Sequence, residues 1–395
     1  MAEPFSGVRV IQDANEPVIP QPTGTSTIGM IQAVTPADLP SGIAVNTPIA
    51  VRNPSDAADL PDAVKQELDT VWDNSGGTVV LTFVDSGIDA AELTANAIGD
   101  ATTKTGVHAF RKATSLGLPK PKIFPTAGIA YAGVGAADGV IAELLTVVDD
   151  LRGYVFADGP GTTNADAITA AALLSNRRAT VTDDKILKSI GGVPTAKSAS
   201  TLFAAIQSNL DRTQNVAWPA TNVQALGLIG VNRPVDFATE VTELNEAGVS
   251  TVINRGDGFK VWGPKTTAAN EAGSIWQFLN VVRVADYVNE TLEDGFYGFM
   301  GRPMIRDTLD LMTIAGQRLL RRLEGENVLL PGSRFGLAAS QTAEDGVQGI
   351  VRFGLQYEPP APIYDLRIQA YRNPIVAYEA LFDSVSGQFV IAEAA

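Results

Sequence analysis

Between residue 26 and about residue 230 the chain switches repeatedly between two kinds of segment, and this alternation limits its fold more than any other feature. The stretches "TIGMIQAV", "PIAVRN", "GTVVLTFV", "PKIFPTAG", "LRGYVFAD" and "RATVT" are strand-like. Between them, "LPDAVKQELDTVWDN", "GVGAADGVIAELLTVVDDL", "NADAITAAALLSN" and "SASTLFAAIQSNL" read as helices. In the second of these, Val140, Ile141, Leu144, Leu145 and Val148 share one face at helical spacing. Strands alternating with helices of this length predict an α/β layer architecture around a largely parallel sheet.

After Pro234 the pattern changes. A long helix is expected within "SIWQFLNVVRVADYVNETLEDGFYGFM" and another in "IRDTLDLMTIAGQRLLRRLEGE". Two alternating runs follow. "VRFGLQY" places Val351, Phe353, Leu355 and Tyr357 on one face, and "YDLRIQA" does the same with Tyr364, Leu366, Ile368 and Ala370. With "EPPAP" between them they read as a hairpin, and this half reads as a separate α+β domain. The fold class is therefore α/β plus α+β. The expected division is an N-terminal arm at 1–24, an α/β domain at 25–231, an α+β domain at 232–383 and a C-terminal arm at 384–395.

The two arms have a common logic. Near the start, Val8 and Val10 mark a short extended run, and Pro17, Pro20 and Pro22 keep the following chain out of a ladder. Near the end, Phe389, Val390 and Ile391 form another short run. A strand without a local partner seeks a sheet edge, and adding it to another molecule's edge is one way to join chains.

Composition excludes several kinds of chemistry. Apolar content of 45% and charged content of 18% suit a chain with a sizeable core. There is no cysteine, so neither a disulfide nor a thiol nucleophile is available. The one histidine, His108, cannot supply a two-histidine metal site, and it reads as packed or solvated on a helix. A net charge of −15 opposes generic nucleic-acid binding, which needs a basic surface. No basic-then-apolar leader opens the chain and no run of eighteen apolar residues occurs, so no targeting segment or membrane span is expected.

The candidate chemical motifs are incomplete. "GGVPTAKSAS" approaches a phosphate-binding loop with Gly191, Lys197 and Ser198, but Ala196 replaces the second glycine. The preceding "DDKILKSI" does not read as a clean strand, and the plainer expectation is a loop capping the next helix through Ser198 or Ser200. "AGVGAADG" approaches a dinucleotide loop with Gly133 and Gly135, with Asp138 in the third glycine's place and Asp158 at the distance of a ribose-binding acid. An α/β nucleotide-binding protein or enzyme using residues 128–160 is therefore the alternative reading. The carboxylate pairs Asp149/Asp150 and Asp183/Asp184 read as helix-end and solvated charges rather than acid–base pairs. No catalytic residue, metal ligand or cofactor is assigned.

Two further features stand out. Arg318, Arg321 and Arg322 lie at i, i+3 and i+4 on a helix whose Leu309, Met312, Leu319, Leu320 and Leu323 face inward, giving a positive stripe in an acidic protein. It is either a solvated face or a dock for an acidic partner. The stretch "NRGDGFKVWGPKTT", residues 254–267, contains an adhesion-type Arg255-Gly256-Asp257 triplet, but such triplets occur by chance. Its glycines read as a tight turn.

These pieces together resemble the contractile tail sheath proteins of bacteriophages and phage-tail-like particles. The resemblance is carried by "DGFKVWGPKT" with Asp257, Gly258, Trp262 and Gly263, and by "GVRVIQ", "TSTIGMIQ", "NTPIAVRNPSDA", "FADGPGT" and "AWPATNVQALGLIGVNRPVDF" in that family's order. It implies a structural subunit rather than an enzyme. The α/β domain would lie outside and the α+β sheath-core domain inside, against an inner tail tube. The arms, with Val8, Arg9, Val10, Ile11, Phe389, Val390 and Ile391, would add strands to neighbouring subunits, and Arg318, Arg321 and Arg322 would dock the tube. Implied partners are other copies in stacked helical rings, the tube protein, and baseplate and tail terminator proteins, without direct nucleic-acid or membrane binding. The implied location is a virion tail or tail-like particle assembled in the host cytoplasm. In the turn motif, Gly256 and Gly258 would permit the turn, Trp262 would pack into the second domain, and Gly263 with Pro264 would end the strand.

Overall fold

The computed structural model of the chain describes residues 24–135, 137–270 and 274–384. The expected arm strands at 8–11 and 389–391 lie outside the described residues. Two compact units are present, residues 1–362 and 363–395.

The first unit is organised by a nine-stranded sheet. Its strands are β1 (Ile28–Val34), β2 (Ile49–Val51), β3 (Val79–Asp85), β4 (Ile123–Pro125), β5 (Tyr154–Asp158) and β6 (Ala179–Thr182), joined further on by β9 (Val223–Gln224), β11 (Val249–Asn254) and β12 (Phe259–Trp262). The spatial order is β2-β3-β1-β4-β5-β6-β11-β12-β9. From β3 to β11 neighbouring strands are parallel, and β2, β12 and β9 pair antiparallel at the edges. The smaller strands β7 (Ile186–Ile190), β8 (Val193–Lys197) and β10 (Gly230–Val231) form a separate sheet in the order β10-β7-β8.

Both faces of the large sheet are covered, which explains why its central strands read as continuous apolar runs. On β3, Val79, Leu81 and Phe83 enter one core with helices α1 (Asp62–Asp73) and α5 (Ala199–Thr213). Val80 and Val84 enter the other with α2 (Ala90–Ile98), α3 (Ala137–Leu151), α4 (Asn164–Leu174) and α6 (Val241–Glu246). A third core is built by α7 (Leu279–Phe296), α8 (Arg306–Gly325) and a hairpin of β13 (Arg334–Leu337) and β14 (Phe353–Gln356). The short helix α9 (Ala343–Val347) lies in that hairpin's connection, and α10 (Pro374–Ser384) belongs to the second unit.

Three expectations need correction. A division at residue 231 would cut the large sheet, because β6 pairs with β11 and β11 with β12. The third core lies in the same compact unit as the large sheet. The expected hairpin partner of β14 is also wrong. Its partner is β13, and 364–370 carries no strand although its pattern alternates. Alternation marks two faces but does not name a partner. Finally, "DDKILKSI" does contain a strand, β7, with Gly191 and Gly192 making its turn to β8 at φ of 58° and 82°.

Candidate functional site

A seam of ion pairs joins the large sheet to α7. Lys122, Arg152 and Arg178 sit at or just before the starts of the adjacent parallel strands β4, β5 and β6. Parallel strands begin at the same end of a sheet, so these three cations gather along one edge. Helix α7 crosses that edge with Asp286, Glu290 and Glu293 at i, i+4 and i+7, one face of a helix. Arg178 reaches Asp286 with both terminal nitrogens, Nη2 to Oδ1 at 2.9 Å, and Nε reaches Asp149 at 2.7 Å. Glu290 accepts from Lys120 at 2.6 Å and from Lys122, and Arg152 pairs with Glu293. One turn earlier on α7, Arg283 forks onto Asp211 of α5, with Nη1 to Oδ1 at 2.8 Å.

Lys122, Arg178, Arg283 and Glu290 are buried, so the centre of the seam is matched out of water, while Asp149 and Glu293 at its rim are exposed. Burial works against both members of the Lys122–Glu290 pair. It pushes the Lys122 ammonium down to about 8. Glu290, held by two ammonium groups, stays below the usual carboxylate range despite its burial. The seam was not foreseen from the sequence, but its signal is there. A basic residue precedes each strand in "KPKIFP", "LRGYVF" and "NRRATV", and acids recur at helical spacing on α7.

The region singled out for nucleotide chemistry is used internally. Asp158, at the end of β5, is 3% exposed. Its carboxylate accepts from Thr126 Oγ1 at 2.9 Å, Gly128 N at 2.9 Å, Ser198 Oγ at 2.7 Å and Ser200 N at 3.0 Å. An acid engaged by these groups does not reach for a ribose, and the nucleotide-binding alternative is not supported. Ser198 also caps α5, accepting from Thr201 N, while Lys197 reaches Gln66 at 3.1 Å. Asp183 and Asp184, expected to be solvated, are buried, and Asp183 accepts from Gly161 N at 2.8 Å and pairs with Arg233. Asp149 and Asp150 pair with Arg178 and Arg111. His108 is buried between Arg111 and Glu143, on a 3-10 helix rather than an α-helix.

The stretch at 254–267 is the β11–β12 hairpin. Gly256 and Gly258 turn it with φ of 96° and 100°, and Asp257 accepts from Lys260 at 2.5 Å. The adhesion triplet is thus engaged in its own fold, since Arg255 also lies over Phe237 at 4.4 Å. Trp262 is half-buried on β12 and meets Phe237 edge-on at 5.2 Å. Gly263 follows at φ 125°, where an added Cβ would stand 2.6 Å from Asn245 Oδ1 and 2.9 Å from Ser250 Cα.

Arg318, Arg321 and Arg322 are exposed on α8, opposite buried Leu319, Leu320 and Leu323. Arg322 is held by Glu326 at 2.8 Å. No ion pair of Arg318 or Arg321 occurs among the described residues. On the buried side Gly316 lets the Phe335 ring of β13 lie against the α8 backbone, and Phe335 stacks on Phe353 at 5.0 Å. Among the described residues no cluster of three metal-ligating side chains is found, and no helix is long and apolar enough to cross a membrane.

This three-core arrangement is the fold of contractile sheath subunits. The helical sheath of the anti-feeding prophage in its contracted state superposes with a TM-score of 0.71 at 17% identity, covering 94% of this chain and 100% of that one. Residues 125–267 match the family model for the phage tail sheath protein central domain. A putative prophage major tail sheath protein of Pseudomonas aeruginosa (strain UCBPP-PA14) is 22% identical over 92% of this chain and 96% of its own length. The tail sheath protein of Burkholderia phage BcepMu is 26% identical over 78% of this chain and 67% of its own. Residues 125–267 thus match a phage tail sheath central domain, and the chain is similar to tail sheath proteins along most of its length.

Proposed function

We propose that this chain is the structural subunit of a contractile tail sheath, which polymerises around an inner tail tube and contracts to drive the tube through a cell envelope. The observation that carries the reading is similarity to tail sheath proteins along almost the whole chain, 92% in one case. The role is structural rather than enzymatic. Partners are further copies in stacked helical rings, the tube protein, and the baseplate and terminator proteins. The site of action is a virion tail or phage-tail-like particle, put together in the host cytoplasm.

In this reading the large α/β body faces outward and the third core faces the tube, with Arg318, Arg321 and Arg322 toward an acidic tube surface. Strands from residues 8–11 and 389–391 of neighbouring copies extend the β13–β14 hairpin. The hairpin supports this role because it is a two-stranded sheet, and two strands are marginal by themselves. Contraction requires contacts in the short state to exceed those in the long state by about a few kcal/mol per subunit, an ordinary difference between interfaces.

Negative-stain electron microscopy of the purified chain, alone and with tube protein, tests the reading. Hollow striated cylinders are expected. Only small particles under both conditions, at high concentration and across salt, would overturn it.

A further inference from the structure

The chain leaves the first unit along a proline-rich run, "YEPPAP" at 357–362. Proline at 359, 360 and 362 removes three backbone N–H donors and fixes φ, so the run is stiff and offers the body mainly carbonyls to hold. Two of these carbonyls are held. Leu330 N donates to Glu358 O at 2.9 Å, and Asn280 Nδ2 donates to Pro360 O at 2.8 Å. Pro359 between them is buried, whereas no residue from 363 to 384 is. The run is thus fastened to the first unit to within two residues of that unit's boundary at Pro362.

Asn280 makes this fastening specific. It lies in the first turn of α7 and is 1% exposed. Its Nδ2 also donates to Ala217 O at 3.0 Å, while its Oδ1 is buried with no hydrogen-bond partner among the described residues. A buried amide oxygen without a donor is destabilising, so the side chain owes its place to the two carbonyls that its nitrogen gathers. Further along the same helix stand Arg283, Asp286, Glu290 and Glu293, whose ion pairs end on α5 and at the starts of β6, β4 and β5. A continuous path of polar contacts therefore runs from the exit of the chain, along α7, into the large sheet.

We propose that Asn280 anchors the C-terminal arm against tension. A pull on the residues beyond 362 is received at Pro360, held on α7 and spread through the ion pairs of that helix to the large sheet. The inference rests on the sheath reading, in which the arm joins copies, and adds to it how one copy withstands the pull of the next. A flexible exit would take up a neighbour's movement as slack, whereas a stiff and fastened one transmits it. Asn280 acts through Pro360 and is a positioning residue.

Two variants of the full chain test the anchor. Asn280→Ala removes the donor. Pro360→Gly combined with Pro362→Gly loosens the run and leaves every residue of α7 in place, so it decides the matter if Asn280→Ala fails to fold. Chymotrypsin reads the fastening. The native chain is expected to be cut after the exposed Tyr371 and Tyr378 and to resist cutting after Tyr357, which packs against the third core. Both variants should be cut after Tyr357 about tenfold faster or more, because cleavage follows the population of the opened run. Electron microscopy before and after a fixed shear reads the tension. Cylinders of either variant should break into shorter pieces than native ones, while thermal unfolding of the double proline variant stays native-like. Tyr357 as well protected in both variants as in the native chain, or variant cylinders that resist shear as native ones do, would overturn the anchor and leave the sheath reading standing. A native chain that forms no cylinders, with or without tube protein, would overturn both.

Discussion

Arg178, the residue just before β6, joins Asp286 on α7 through both of its terminal nitrogens, with Nη2 2.9 Å from Oδ1. The same guanidinium holds Asp149 of α3 at 2.7 Å. One side chain thus ties the sheet, a covering helix and the third core together. Lysine offers no planar fork, so its point charge cannot replace this geometry. The seam thus couples the sheet to the third core.

Glu290 tests the seam. Glu290→Gln leaves the buried Lys122 ammonium without its anion while conserving shape. Breaking one side of a buried pair costs about 3–5 kcal/mol. Urea unfolding at neutral pH is expected to show a loss of that size. A change under about 1 kcal/mol would place the pair in the class of weak surface bridges.

Glu67 gives a pH dependence. Burial pushes its carboxyl up to about 7, only partly offset by the Thr201 hydroxyl at 2.5 Å. The folded value lies above the unfolded one, so its contribution to stability is fully present below the unfolded value. That contribution is lost as pH rises through about 7. Relative to Glu67→Gln, the native chain should therefore lose roughly 3 kcal/mol between pH 4 and pH 8. Parallel stability curves for the two proteins would refute this.

Gly263 and Gly256 separate crowding from backbone strain. Both have positive φ, but a Cβ at Gly256 meets nothing within 4 Å whereas at Gly263 it strikes Asn245 and Ser250. Gly256→Ala should cost about 1–2 kcal/mol and Gly263→Ala clearly more. Thermal midpoints in the reverse order would contradict the geometry.

Reversing Arg318, Arg321 and Arg322 to Glu should weaken association with the tube protein without preventing self-assembly. The positions are exposed, and of the three only Arg322 has an ion pair among the described residues, so the fold loses little. Co-sedimentation with tube protein measures the effect, and unchanged binding would remove the stripe from the tube interface.

Deleting residues 384–395 should leave a folded monomer that builds no sheaths. The described part of the second unit has no buried residue, so the body does not depend on it for a core. Circular dichroism checks the fold and electron microscopy checks assembly. Sheaths of normal length from the truncated chain would sink the idea.

The sequence by itself determined the elements of the α/β body. Its central strands are apolar on both faces because helices cover both sides, and the helices between them are amphipathic at a period that survives without context, as in α3. It also determined the turn at Gly256 and Gly258 and the cap at Ser198, because positive φ and a free helix N-terminus each select residue types locally. Only the tertiary structure decided what these elements face. Residues 364–370 alternate as well as β14 does, yet β14 pairs with β13, since pairing depends on which edges come together. Asp158 looked like a ligand residue and Asp183 like a solvated one because exposure is a property of the packed chain. The seam was the largest omission, because its cations are distant in sequence and become neighbours only when β4, β5 and β6 lie parallel with their starts aligned along α7.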